Sequence, residues 1–287
     1  MFNLSITPAQ IEIVVKPGSS LTQAYEIKNN SDQFLILTPS IEPWLPTDTT
    51  GSVTYHNVPA NPHLRFSLSN TDLTLGQNFR LPPNSSRQLV LKIKSDSNTP
   101  LADSYYTFFL SQNQENALLS SPQTQAKIGA HILISNSSVQ EPEVSLAIND
   151  FFVSPHFKDT FFSTLNFQAQ IENLSDHFSK TTGSLTLKKA DKTIQNFDLF
   201  PHNVLAHHSR DLSCTLYFDQ EKQPPQATSC TLRPPFWPGF YTATLTLSQT
   251  QQSISFYVFP YSLTFALLLL TAIFIVFKKT KSPLPPL

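Results

Sequence analysis

Glycine is scarce in this 287-residue chain: Gly18, Gly51, Gly76, Gly129, Gly183 and Gly239 are all of it, and no two lie closer than 25 positions. Phosphate-cradling loops, dinucleotide fingerprints and G-x-S-x-G nucleophile elbows need two or more glycines within about six residues. Most nucleotide-dependent chemistry is excluded on that ground. Charge is also sparse, at 14% of residues against about 25% in average proteins. Lys plus Arg number 19 and Asp plus Glu 20, so the chain is close to neutral. No basic stripe breaks that balance locally, which argues against a nucleic-acid partner. Cysteine occurs twice, at Cys214 and Cys230. The opening MFNLSITPAQ has neither the basic n-region nor the apolar h-region of a secretory leader.

One absence is local. No Asp, Glu, Lys, Arg or His occurs between Arg233 and Lys278, and Phe256 to Phe277 is a largely apolar run. Its 22 residues would span about 33 Å as a helix, close to the ~30 Å hydrocarbon core of a bilayer. Tyr257 and Tyr261 flank one edge, where aromatic rings favour the interface, and Pro260 is expected in the first turn. Lys278, Lys279 and Lys281 mark the other edge. Positive residues stay cytoplasmic, so the sequence predicts a single-pass plasma-membrane protein with its N-terminal body extracytoplasmic. The expected partner there is the lipid bilayer. Export of such a body calls for a signal peptide, which is expected to be missing from this version of the chain.

Within the body, period-two alternation recurs. STLNFQAQIEN puts Leu165, Phe167, Ala169 and Ile171 on one face. YTATLTLS does so with Tyr241, Ala243, Leu245 and Leu247, and RQLVLKIK with Leu89, Leu91 and Ile93. These are half-buried antiparallel strands, and 23 prolines punctuate their connections. Three landmarks also repeat in order: IKNNSD from Ile27 with IENLSD from Ile171, SRQL from Ser86 with SRDL from Ser209, and YYT ending at Thr107 with FYT ending at Thr242. The pattern predicts an all-β body of two tandem immunoglobulin-like sandwiches, each of seven or eight strands, joined by a linker from Asn136 to Val144. The expected divisions are 1–137, 143–255, a transmembrane helix over 256–277 and a cytoplasmic tail over 278–287. A β-barrel fits less well, because the strands look short and unevenly spaced.

Local chemistry is thin. Cys214 in RDLSCTLYF and Cys230 in ATSCTLR lie in strand-like segments on either side of a Pro-Pro loop. Adjacent antiparallel strands would bring them within disulfide reach, which an oxidising exterior favours; two free buried thiols are the alternative. His202, His207 and His208 have no nearby Cys or carboxylate to complete a ligand set, so neither a metal nor another cofactor is expected. No serine sits in a nucleophile context. N-x-S/T matches begin at Asn3, Asn29, Asn84, Asn136 and Asn173. The stretch with most binding potential is the long Pro43–Pro62 loop. Trp44 and Tyr55 could supply sugar-stacking rings there, with Asp48, His56 and Asn57 as polar partners; alternatively the two rings cap one end of the core.

ITPAQIEIVVKPGSSLTQAYEIKNNSD, TDTTGSVTYHN and FRLPPNSSRQLVLKI together resemble the N-terminal domain of WxL-interacting proteins of Gram-positive cell surfaces. The likeness covers roughly residues 6 to 110, and the family layout of a second β-domain, one membrane helix and a basic tail agrees with the rest. The family's Gly-Gly pair is replaced here by LADSYYTFFL. The resemblance implies a cell-surface protein that binds peptidoglycan or a secreted surface protein. A passive stalk or assembly subunit is the structural alternative, and a surface hydrolase the enzymatic one; the expectation is that the protein is not an enzyme.

Overall fold

The computed structural model describes residues 3–113, 126–217, 224–234, 237–248 and 250–280. The chain forms two compact units. The first holds Met1–Val144 with two later segments, Asn173–Ser179 and Leu205–His208; the second holds the remainder.

The first unit's strands are β1 (Leu4–Thr7), β2 (Gln10–Val15), β3 (Ser20–Asn29), β4 (Leu35–Pro43), β5 (Leu45–Pro46), β6 (Val53–Thr54), β7 (Leu64–Leu68), β8 (Phe79–Leu81), β9 (Ser86–Ser95), β10 (Asp103–Asn113) and β11 (Lys127–Asn136). They form sheets ordered β1-β3-β9-β7 and β2-β11-β10-β4-β8, with β5-β6 as a separate hairpin. Leu89, Leu91 and Ile93 of β9 are fully buried, as are Phe108 and Leu110 of β10. Tyr25 of one sheet meets Phe108 of the other at 5.1 Å between ring centres, so the inner faces close on one core. That is the packing expected of two faces that each carry every second residue as a hydrophobe.

In the second unit the strands are β12 (Leu146–Ser154), β13 (Leu165–Asn173), β14 (Ser179–Lys180), β15 (Gly183–Lys189), β16 (Lys192–Asp198), β17 (Asn203–Val204), β18 (Ser209–Asp211), β19 (Cys214–Leu216), β20 (Gln226–Thr228), β21 (Cys230–Leu232), β22 (Gly239–Leu247) and β23 (Gln251–Val258). Its principal sheets run β12-β13-β18, with β21 also on β13, and β16-β15-β22-β23. Leu165, Phe167, Ala169 and Ile171 of β13 share a core with Tyr241, Ala243, Leu245 and Leu247 of β22. The Cys214 and Cys230 sulfurs are bonded at 2.09 Å, with both residues buried in that core.

The sequence echoes have a structural cause. Asn29 ends β3 and Asn173 ends β13, and both are fully buried. Asn29 Oδ1 accepts from Ser31 N at 3.0 Å and its Nδ2 donates to Gln33 O at 2.8 Å. Asn173 Oδ1 accepts from Ser175 N at 2.9 Å and its Nδ2 donates to His177 O at 2.8 Å. Each asparagine therefore closes the same side-chain-mediated turn after the same strand. The register of the next motif also repeats. Ile27 pairs with Arg87 and Lys28 with Ser86; Ile171 pairs with Arg210 and Glu172 with Ser209. Asn136, the start of the expected linker, is instead the buried last residue of β11, and its Nδ2 donates to Ala102 O at 2.9 Å.

The C-terminal helix α1 runs Tyr261–Thr280, and Tyr261–Lys278 is long and apolar enough to cross a membrane. It starts later than the uncharged run suggested. Residues through Val258 belong to β23, with Phe256 and Val258 buried in the second core, so the boundaries expected at 255 and 256 move to the end of that strand. Pro260 lies just outside the helix, and its carbonyl accepts the first helical bond, from Thr264 N at 3.0 Å. The helix includes Lys278 and Lys279; Lys281 falls outside the described residues.

Candidate functional site

The expected binding loop folds as a hairpin beside the outer face of the first unit's five-stranded sheet. On β10 the inner residues Tyr106, Phe108 and Leu110 enter the core, which turns Tyr105, Thr107 and Phe109 outward. Across the ladder Thr107 faces His131 on β11 and Glu42 on β4, while Phe109 faces Gly129.

Trp44 does not present a free ring. It is 4% exposed, stacks on Tyr105 at 5.1 Å, and donates from Nε1 to Tyr106 O at 2.8 Å. With Tyr105 and Leu133 it forms a small second core on the sheet's outer side. An indole N–H needs a partner when buried, and the strand carbonyl supplies it. The expected sugar platform at Trp44 is thus a covered wall.

Tyr55 stays half-buried. Its ring meets Phe109 edge-on at 5.2 Å and its hydroxyl lies 3.1 Å from Thr107 Oγ1. Thr107 Oγ1 in turn is 2.9 Å from His131 Nδ1, so a short polar chain runs beneath the hairpin. Burial lowers the pKa of His131, favouring the neutral ring at pH 7. Gly129 makes room for this arrangement: a Cβ there would fall 2.5 Å from Thr107 Cγ2 and 2.7 Å from Phe109 Cε1. Lys127 Nζ sits 3.6 Å from the centre of the Phe109 ring and pairs with Glu42.

Asp48 organises the hairpin's tip. Its Oδ1 accepts from Thr50 N, Gly51 N and Ser52 N at 2.9, 2.9 and 3.0 Å, and from Thr50 Oγ1 at 2.9 Å. The bonds from Ser52, then those from Thr50 and Gly51, hold its carboxyl well below the usual range. That carboxylate is committed to the turn. His56 and Asn57 are exposed, joined by an Asn57 Nδ2 to His56 Nε2 contact at 3.0 Å, and Asn57 has φ 56°. Of the five loop residues, Tyr55, His56 and Asn57 therefore remain available beside one another, whereas Trp44 and Asp48 serve the fold.

Sequence reasoning overlooked Thr107, Phe109, Gly129 and His131. For Thr107 and Phe109 the signal was legible: SYYTFFL carries bulky residues on both faces of β10, as a strand covered on both sides does. A second overlooked set in the first unit is Asp103, His177 and Ser135. Asp103 has 1% side-chain exposure, and burial raises its pKa against the opposing effect of hydrogen bonds from His177 Nδ1 and Phe178 N. Ser135 Oγ lies 2.7 Å from His177 Nδ1, and Asp103 Oδ1 lies 3.1 Å from that same nitrogen. A nucleophilic triad needs the serine and the carboxylate on opposite ring nitrogens. This set instead reads as a satisfied polar core.

Among the described residues, no group of three or more His, Cys, Asp or Glu could hold a metal ion. His208 Nδ1 donates to Ala206 O at 2.6 Å, His207 Nε2 lies 2.8 Å from Asp176 Oδ1, and His202 packs on Phe200 at 4.7 Å.

No family model matches the chain, and no curated protein sequence does. Among solved structures, the class 5 fimbriae chaperone CfaA is similar at 14% identity and TM-score 0.43, over 90% of this chain and 100% of that one. The Escherichia coli chaperone DraB is similar at 13% and 0.40, over 89% and 97%. A CsuC–CsuE chaperone–tip subunit complex of Acinetobacter baumannii is similar at 9% and 0.38, over 90% and 99%. The immunoglobulin-like fold rests on the sheets and cores described above.

Proposed function

We propose that the protein is a non-catalytic, membrane-tethered surface protein whose two β-sandwich units stand outside the cell and whose first unit holds another surface component. The helix carries this reading: Tyr261–Lys278 is unburied, has no charge before Lys278, and directly follows the last core strand. Lysines 278, 279 and 281 at its far end favour a cytoplasmic tail. The resemblance to WxL-interacting proteins favours peptidoglycan as the ligand, contacted by the exposed hairpin side at Tyr55, His56 and Asn57. The burial of Trp44 favours a second reading, a secreted surface protein, because glycan binding usually draws on an open ring face.

Protease added to intact cells should remove the body and spare only a membrane-protected fragment containing α1. A body protected until lysis would reverse the topology. Co-sedimentation with purified peptidoglycan then separates the ligands: His56→Ala, at an exposed position, should weaken it at an unchanged melting temperature. No sedimentation of the unaltered protein would leave the secreted-protein reading.

A further inference from the structure

Where α1 leaves the second unit, aromatic side chains face outward in unusual density. Phe157 is 73% exposed, Phe161 47% and Phe162 84%, all on the short turn between β12 and β13. A turn in water is normally polar, so three exposed phenylalanines within six positions call for a nonaqueous neighbour. What that neighbour is follows from how the turn is tied. Asp159 Oδ1 accepts from Phe161 N at 2.8 Å and Phe162 N at 3.1 Å. The same carboxylate accepts from Ser262 N at 2.7 Å and Ser262 Oγ at 3.0 Å, on the first turn of α1. Phe259 N donates to Lys158 O at 3.0 Å, and the Phe157 ring lies edge-on to Tyr261 at 6.1 Å. One carboxylate thus caps the helix and holds the phenylalanine turn level with the helix start. The 18 residues from Tyr261 to Lys278 rise about 27 Å, so that start sits at the edge of a ~30 Å hydrocarbon layer. Aromatic residues are favoured at that depth.

We infer that the 155–163 turn is a membrane foot. Phe157, Phe161 and Phe162 enter the headgroup–acyl boundary of the leaflet in which α1 begins, so the second unit meets the bilayer at two points instead of one. The inference rests on α1 being a membrane span, and the test separates the two. The full chain is reconstituted into phosphatidylcholine vesicles whose acyl chains carry bromine either near the headgroup or near the chain end. Three proteins are compared: the unaltered chain, Phe162→Trp, and Phe274→Trp within α1. Position 162 is open, so the added indole leaves the fold unchanged. The expected result is that the fluorescence added by Phe162→Trp is blue-shifted and loses most of its intensity to bromine near the headgroup. Phe274→Trp should be quenched more strongly by the deep bromine. A water-like, unquenched indole at 162 beside a quenched one at 274 would overturn the foot and leave the span intact. An unquenched indole at 274 would overturn the span, and the foot with it.

Discussion

Asn29→Ala should be among the most damaging single substitutions in the first unit. The side chain is fully buried, and its Nδ2 serves Gln33 O at 2.8 Å, Pro82 O at 2.9 Å and Leu81 O at 3.3 Å. Its Oδ1 takes Ser31 N at 3.0 Å and Ser31 Oγ at 2.7 Å. Some partners have alternatives: Ser85 Oγ still donates to Pro82 O at 2.7 Å, and Leu81 lies in the β4–β8 ladder. Ser31 N and Gln33 O lose their principal side-chain partner. Buried Ser31 N, costing about 1–3 kcal/mol when unsatisfied, and the hydrogen bond to part-buried Gln33 O, worth about 1 kcal/mol, give a loss of about 3 kcal/mol. With a urea m-value of about 2 kcal/mol/M, the midpoint should fall by roughly 1.5 M. The buried Trp44 indole reports unfolding of this unit. Asn29→Asp provides the sharper discrimination, because it keeps the acceptor but sets an oxygen against the Gln33 and Pro82 carbonyls. It should cost more than Asn29→Ala despite its closer shape. A midpoint shift under about 0.5 M for the alanine variant, or an aspartate variant as stable as the parent, would refute the turn's role.

Reducing or removing the Cys214–Cys230 bond, whose sequence separation is 16, should destabilise the second unit by about 3 kcal/mol on the loop-entropy account. Alkylation without reduction should label neither thiol in folded material, which mass spectrometry reads directly. Because the Asp48 pKa is lowered, its stabilising effect is fully present above the unfolded carboxylate pKa and is lost as pH falls through the folded one. Amide resonances of Thr50, Gly51 and Ser52 should therefore hold their positions through the ordinary carboxylate range and shift only in stronger acid. Gly129→Ala should displace Phe109 and the Tyr55 seat, since its Cβ would lie 2.7 Å from the Phe109 ring. The expected loss is about 1–3 kcal/mol in thermal unfolding, and a melting temperature equal to the parent's would sink that account of the glycine.

Alternation alone identified β9, β13 and β22 and their inward residues, because side-chain direction in a strand follows directly from sequence parity. Length and lack of charge likewise marked α1, because about twenty residues without a charge are enough for a helix to cross a bilayer. The repeated IKNNSD and IENLSD motifs were visible as letters, but their meaning as buried asparagine turns needed the backbone carbonyls of Leu81 and Pro82, about fifty residues away. The start of α1 was not legible either. Uncharged residues suit both a strand and a membrane helix, and only pairing of Tyr241 with Phe256 across β22 and β23 assigns the latter to a sheet. Trp44 is the same case on one side chain. Its sequence neighbourhood is a polar loop, yet its environment is set by Tyr105 and Leu133, far along the chain, which close over the ring and bury it. Likewise the carboxylate of Asp159 meets Ser262 across 103 positions. A sequence carries parity, length and charge in its local order, whereas burial and hydrogen-bond partnership depend on which distant strands come to lie together.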